Sequence, residues 1–180
     1  MRKALGWAYL KFYKWRVIGR PPQLPKYVMA IAPHTSNRDF FLGLAVRAAM
    51  DMKAKYLGKS ELFRPPFGWI FRALGGYPVN RKEHQGLVEA VVEIFHSKEA
   101  FSIGIAPEGT RKARREFKSG FYHIAKGAGI PIVKVAFDYH SKSIIFDAPF
   151  TPGEDSEQDI EEIRNWFRQY KGFFPEKGIA

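Results

Sequence analysis

Short, unbroken apolar runs alternate with amphipathic stretches along the chain, and this alternation restricts the fold more than any other feature of the sequence. Residues 27–32 (YVMAIA), 100–106 (AFSIGIA) and 130–137 (IPIVKVAF) are too short for core helices and carry almost no polar face. That pattern predicts strands buried on both sides. Residues 55–57, 77–79 and 144–146 are shorter strand candidates. Residues 40–50 and 120–128 read as helices, as do the sets Leu87, Val91, Ile94, Phe95 and Ile160, Ile163, Phe167, Tyr170. Polar Ser36, Asn37 and Asp39 are candidate caps for the first of these. Residues 62–74 are aromatic and apolar, but Pro65, Pro66 and Gly68 interrupt them. Strands alternating with helices predict the α/β class: a single domain with a central, mostly parallel sheet flanked by helices. The 180 residues suit one such domain.

The N-terminal 20 residues have a different texture. Leu5, Ala8, Tyr9, Phe12 and Trp15 fall on one helical stripe, with Lys3, Lys11 and Lys14 roughly opposite. Trp and Tyr mixed with Lys and Arg is the composition of a helix lying in a membrane interface. Gly19, Pro21, Pro22 and Pro25 are expected to end this helix and form a stiff connector. The expected division is therefore residues 1–25, a basic aromatic interface helix with its Pro-rich connector, and residues 26–180, the α/β domain. Eight cations precede the first acid, Asp39, and the whole chain carries a net charge of +11. Such a charge points to anionic partners: nucleic acid, anionic lipid or a phosphorylated substrate. No helix-turn-helix, RRM or KH pattern occurs, so nucleic acid is not the expected partner. No apolar run approaches the length of a membrane span. The chain has no cysteine, which removes disulfides, thiolate metal sites and thiol nucleophiles.

Two short segments carry chemistry. Pro33-His34-Thr35-Ser36-Asn37-Arg38-Asp39 follows one predicted buried strand and precedes a helix. In open α/β sheets that is where ligands bind. On a continuous helix His34 and Asp39 would point in different directions. They meet if His34 lies in the turn and Asp39 in the first helical turn. Asp39 would then orient the imidazole and leave its other nitrogen as a general base. Pro107-Glu108-Gly109-Thr110-Arg111 follows a second buried strand. Gly109 allows a close backbone approach, Thr110 supplies a hydroxyl, and Arg111 offers a planar fork suited to phosphate. Lys112, Arg114, Arg115 and Lys118 extend its positive field. A third segment, Gly75 to Arg81, joins a glycine turn to a short strand and an arginine. Histidines and carboxylates show no metal-ligand spacing, and there is no phosphate-binding glycine loop or nucleophile elbow.

Taken in order, these blocks resemble the glycerolipid acyltransferase family, the lysophosphatidic acid acyltransferases (1-acylglycerol-3-phosphate O-acyltransferases) and their relatives. The resemblance rests on H-x4-D at His34 to Asp39, the glycine block ending in Arg81, P-E-G-T-R at Pro107 to Arg111, and the proline-led strand at Ile130 to Val135. Lys59-Ser60-Glu61-Leu62-Phe63 and Phe117-Lys118-Ser119-Gly120 add two further matching stretches. It implies that His34 deprotonates a glycerol hydroxyl, with Asp39 as its orienter. It implies that Arg81, Arg111 and Lys118 bind the acceptor phosphate while Glu108, Gly109 and Thr110 shape that site. The implied partners are acyl-CoA or acyl carrier protein as co-substrate, a lysophospholipid acceptor, and an anionic membrane surface contacted by residues 1–20. No metal or resident cofactor is expected. The implied location is peripheral, on the cytoplasmic face of a membrane, in phospholipid biosynthesis. Two alternatives stay open: another acceptor such as a lyso-aminolipid, or a lipid-binding protein of the same fold without turnover.

Overall fold

The computed structural model describes residues 1–79, 86–112 and 116–179. In chain order the elements are α1 (Arg2–Phe12), β1 (Arg16–Ile18), β2 (Lys26–Ala32), α2 (Arg38–Ala49), β3 (Lys55–Lys59), α3 (Gly68–Ala73), β4 (Gly76–Val79), α4 (Leu87–His96), β5 (Phe101–Ile105), α5 (Gly120–Ala128), β6 (Ile132–Asp138), β7 (Ser143–Phe150) and α6 (Ser156–Phe167). Short 3-10 turns occupy Ser60–Phe63 and Pro175–Lys177. The seven strands form one sheet in the order β1-β7-β6-β2-β5-β3-β4. β6, β2, β5, β3 and β4 run parallel, β7 is antiparallel to β6, and β1 lies parallel to β7. The expected α/β sheet is thus present, with helices on both faces.

The strand pleat sorts the core into two layers. From β2, Val28, Ala30 and Ala32 face the layer built by α4, α5 and α6, where Phe95, Phe121, Tyr122 and Phe167 pack. Tyr27 and Met29 face the opposite layer, where α1 and α2 supply Leu10, Leu42, Val46 and Ala49. β6 splits the same way, Ile132 and Ala136 on one side, Val133, Val135 and Phe137 on the other. A strand buried on both faces can carry a charge only if it is paired. Lys134 in β6 meets Asp147 at 2.8 Å and lies over the Trp166 ring at 5.3 Å.

The N-terminus differs from the expectation in two ways. The helix ends at Phe12 rather than at the proline connector, because Lys14 takes a left-handed turn (φ 60°). Trp15 therefore leaves the helical stripe and is buried against Tyr139, ring centroids 4.9 Å apart. Arg16–Ile18 then joins the sheet as β1, pairing with Ser143–Ile145 of β7. The helix also seats itself by a face the apolar stripe does not show. Gly6 and Leu10 are its buried residues, and Leu5, Trp7 and Phe12 remain exposed. Gly6 is the contact point with α2: a Cβ there would lie 2.4 Å from the Ala49 nitrogen and 2.6 Å from the Ala45 oxygen. Leu10, fully buried beside it, contributes about 2 kcal/mol. Among the described residues no helix is long and apolar enough to cross a membrane.

Gly6→Ala should force α1 off α2, since backbone atoms cannot yield as a flexible side chain can. A loss of about 2 kcal/mol is expected, read as a lower urea midpoint at unchanged slope. An unchanged midpoint would show that α1 is not held by this contact.

Candidate active site

β2 and β5 are neighbours, with Ala30 opposite Ile105, so their carboxyl ends open side by side. The chain leaves β2 through a cis Ala32–Pro33 bond and leaves β5 through Pro107. This juxtaposition brings together two segments 74 residues apart. The His34 backbone N–H donates to both carboxylate oxygens of Glu108, at 2.9 and 3.1 Å. Glu108, which the resemblance assigned to the acceptor site, thus sits beneath the histidine turn. It is 4% exposed. Burial, its largest influence, pushes its pKa up from 4.5 to about 7, while the His34 N–H bond pulls the other way.

His34 and Asp39 meet as the turn-then-helix reading requires. Asp39 stands in the first turn of α2 and reaches back over the turn. Its Oδ2 accepts the backbone N–H groups of Thr35 and Ser36, each at 2.9 Å. The same oxygen lies 3.0 Å from His34 Nδ1. Its Oδ1 accepts the Tyr139 hydroxyl at 2.7 Å. This carboxylate fixes the turn from inside the helix, in place of a cap from Asn37, whose side chain makes no cap bond. Ser36 does contribute as expected, its Oγ accepting the Arg38 N–H at 3.2 Å. With the carboxylate as acceptor, Nδ1 must carry the imidazole proton, and Nε2 holds the free lone pair. The ring is 30% exposed. The arrangement can therefore take a proton at Nε2 from a group arriving from solvent.

The cationic side of the site is built on Gly109, which takes a left-handed conformation (φ 64°). A Cβ there would lie 2.8 Å from Lys118 Cδ and 3.4 Å from its Nζ, so the lysine side chain runs across the glycine. The Lys118 N–H donates to the Pro107 carbonyl at 2.8 Å, which holds it there. Thr110 Oγ1 accepts the Lys112 N–H at 3.3 Å and closes the turn. Arg111 is exposed on the same turn. Glu108, Gly109 and Lys118 are thus joined to His34 through one loop. Arg81, Arg114 and Arg115 lie outside the described residues. Among the described residues, no three His, Asp or Glu side chains gather where a metal ion could bind.

Four contributors, Tyr139, Gly172, Phe173 and Phe174, were not visible in the sequence. Tyr139, just past β6, donates to Asp39. The C-terminal residues 171–174 close the other side. Thr35 Oγ1 accepts the Phe174 N–H at 3.1 Å, and Gly172 lies against the Thr35 side chain. The Arg38 guanidinium rests on the Phe173 ring at 4.2 Å from its centroid. No motif flags these residues, because each meets its partner across 100 residues or more of chain.

A hydrogen-bonded His–Asp pair at the carboxyl ends of parallel strands, beside a glycine turn that carries cations, defines an α/β protein equipped for proton transfer next to an anion. The family model described as Acyltransferase matches residues 18–138, and the chain belongs to that family. It is 30% identical over 128 residues to the 1-acyl-sn-glycerol-3-phosphate acyltransferase of Saccharomyces cerevisiae, covering 67% of this chain and 41% of the yeast protein. It is 37% identical over 92 residues to the enzyme of the same name from Escherichia coli, covering 48% of this chain and 37% of that protein. The chain thus spans less than half the length of either relative. The crystal structure of the 1-acyl-sn-glycerophosphate (LPA) acyltransferase PlsC from Thermotoga maritima shares its fold, with a TM-score of 0.63 at 18% identity, over 93% of this chain and 76% of that one.

Glu108 makes stability depend on pH in a defined direction. Its folded pKa lies above its unfolded value, so between pH 4.5 and 7 the folded state binds more protons. Stability from this group is full at the acid end and is lost as pH rises through 7. Glu108→Gln keeps an acceptor for the His34 N–H without the charge. Relative to the variant, the wild type should lose about 3 kcal/mol between pH 5 and pH 8 in denaturant titrations. Parallel curves for the two proteins would remove the buried-charge account.

Proposed function

We propose that this protein is an O-acyltransferase that moves a fatty acyl group from a thioester donor, acyl-CoA or acyl carrier protein, to the free hydroxyl of a lysophospholipid, 1-acyl-glycerol-3-phosphate first among them. The observation that carries this reading is the 3.0 Å contact between His34 Nδ1 and an Asp39 carboxylate already committed to three other donors. A base so oriented needs no protein nucleophile, because the acceptor's hydroxyl supplies one.

In this mechanism His34 Nε2 takes the hydroxyl proton as the oxygen attacks the thioester carbonyl. The resulting imidazolium is stabilised by Asp39. The tetrahedral intermediate collapses with cleavage of the C–S bond, and the departing sulfur receives the proton from Nε2. Acyl ester and free thiol are the products, so atoms and charge balance without a redox partner. A phosphate monoester carries about −1.5 to −2 at neutral pH, which the Lys118 and Arg111 cations of the Gly109 turn would balance; the family resemblance adds Arg81, outside the described residues, as a third. No resident cofactor is required. The names of the yeast and E. coli relatives, and membership of the Acyltransferase family, support the acceptor class.

The acceptor is a membrane lipid, and the molecule presents surfaces suited to reach it. Leu5, Trp7 and Phe12 of α1 are exposed beside Lys3 and Lys11, the composition expected where a helix rests in the headgroup region. Peripheral attachment to an anionic leaflet, through α1, follows.

Free-thiol release from palmitoyl-CoA should depend on added lysophosphatidic acid and fall about 1000-fold in His34→Ala. Arg111→Ala should raise the acceptor KM about tenfold with kcat nearly unchanged. Equal turnover by His34→Ala would sink the mechanism, and an unchanged acceptor KM would remove Arg111 from the phosphate site. Leu5→Ser with Phe12→Ser leaves Gly6 and Leu10 in place, so α1 stays docked. This double variant should bind phosphatidylglycerol vesicles at least tenfold more weakly while keeping its melting temperature. Undiminished vesicle binding would place the membrane contact elsewhere.

A further inference from the structure

Tyr139 follows the last residue of β6, outside the portion that the family model matches. Its hydroxyl donates to Asp39 Oδ1 at 2.7 Å, on the opposite oxygen from His34. Its position is over-determined. The Trp15 ring meets it edge-on at 4.9 Å from one side, and the Phe173 ring packs on it at 5.4 Å from another. Its backbone N–H donates to the Lys171 carbonyl at 2.8 Å, while the Lys171 N–H donates to Asp138 at 3.0 Å. A tyrosine that only filled space would not need its hydroxyl aimed at a buried carboxylate.

We propose that Tyr139 is a positioning residue for the His34–Asp39 pair, its hydroxyl holding the Asp39 carboxylate in place and drawing off part of the negative charge that the imidazole feels. The proposal rests on the acyltransferase reading for its kinetic consequences, but not for the hydrogen bond itself. Its physical basis is charge sharing. Asp39 Oδ2 serves three donors, and Oδ1 has Tyr139 as its donor. Removing that donor leaves more charge on the carboxylate and stabilises the imidazolium, so the histidine holds its proton to higher pH. The Tyr139 hydroxyl is itself driven far above the ordinary tyrosine value, first by burial and then by the Asp39 carboxylate, which keeps it a donor at any working pH.

Other groups bear on the same pair. Glu108 accepts the His34 N–H from the β5 side. Arg38, from the start of α2, and Tyr9, from α1, both act on Tyr139 through space, in opposite directions. Asp138 is turned away, accepting from Ser141, His140 and Lys171. None of these changes when the Tyr139 hydroxyl alone is altered, which makes the test specific.

Tyr139→Phe retains the ring contacts with Trp15 and Phe173 and should fold normally. Its acid limb in kcat/KM against pH should move up by about half a unit, a roughly threefold loss at pH values below the limb, with the acceptor KM unchanged. Incorporating 3-fluorotyrosine at position 139 strengthens the donor and should move the limb the other way. NMR titration of the His34 ring in both variants, without substrate, should show displacements of the same signs. Coincident limbs and titrations in all three proteins would overturn the positioning role. Opposite displacements in the ring titration, with no acyl transfer by any protein, would uphold the role of Tyr139 and discard the acyltransferase reading.

Discussion

The Asp39 carboxylate is the point on which the site is organised. Three of its donors lie within five residues, and they convert an otherwise unsupported turn into a fixed one. Two of these are backbone N–H groups of Thr35 and Ser36, which a buried turn could not leave unpaired without losing about 1–3 kcal/mol each. The third is the His34 ring. The fourth comes from Tyr139, a hundred residues away. One group therefore satisfies the turn, sets the tautomer of the histidine and ties the first half of the sheet to the second. Replacing it would unfasten all three at once.

Around this point the sheet supplies alignment. β2 and β5 deliver their carboxyl ends to the same edge, and Glu108 locks the two exits together through the His34 amide. Gly109 then turns the β5 exit so that Lys118 can lie across it. The Lys118 ammonium and the His34 imidazole thus hang from adjacent parallel strands, whose spacing neither loop could set for itself. The antiparallel β7 and the short β1 extend the sheet away from the site and anchor the N-terminal helix.

Much of this was legible in the residues, and the reasons for the rest are physical. The two-sided apolar runs at β2, β5 and β6 announce strands because a strand buried on both faces has no polar alternation. The His34-to-Asp39 turn was legible because five residues cannot bring the two side chains together on one helix. The end of α1 was not. Trp15 continues the apolar stripe, and only the left-handed Lys14 and the pairing of Arg16–Ile18 with β7 stop the helix. A three-residue strand leaves no periodic trace. The partner of Glu108 was hidden for another reason: a backbone N–H looks the same at every position. Tyr139 and Phe173 were invisible because their spacing from the motifs is a property of the tertiary fold.

The closure of the turn by residues 171–174 bears on the order of biosynthesis. Thr35 is bonded to Phe174 across 139 residues, and Tyr139 reaches Asp39 across 100. During vectorial synthesis the first strands leave the ribosome long before these partners exist. The His34 turn can reach its final geometry only after residue 174 has been made. Helices α1 and α2, by contrast, lie within the first 49 residues and meet at Gly6, so the N-terminal helix can find its partner long before the turn is closed.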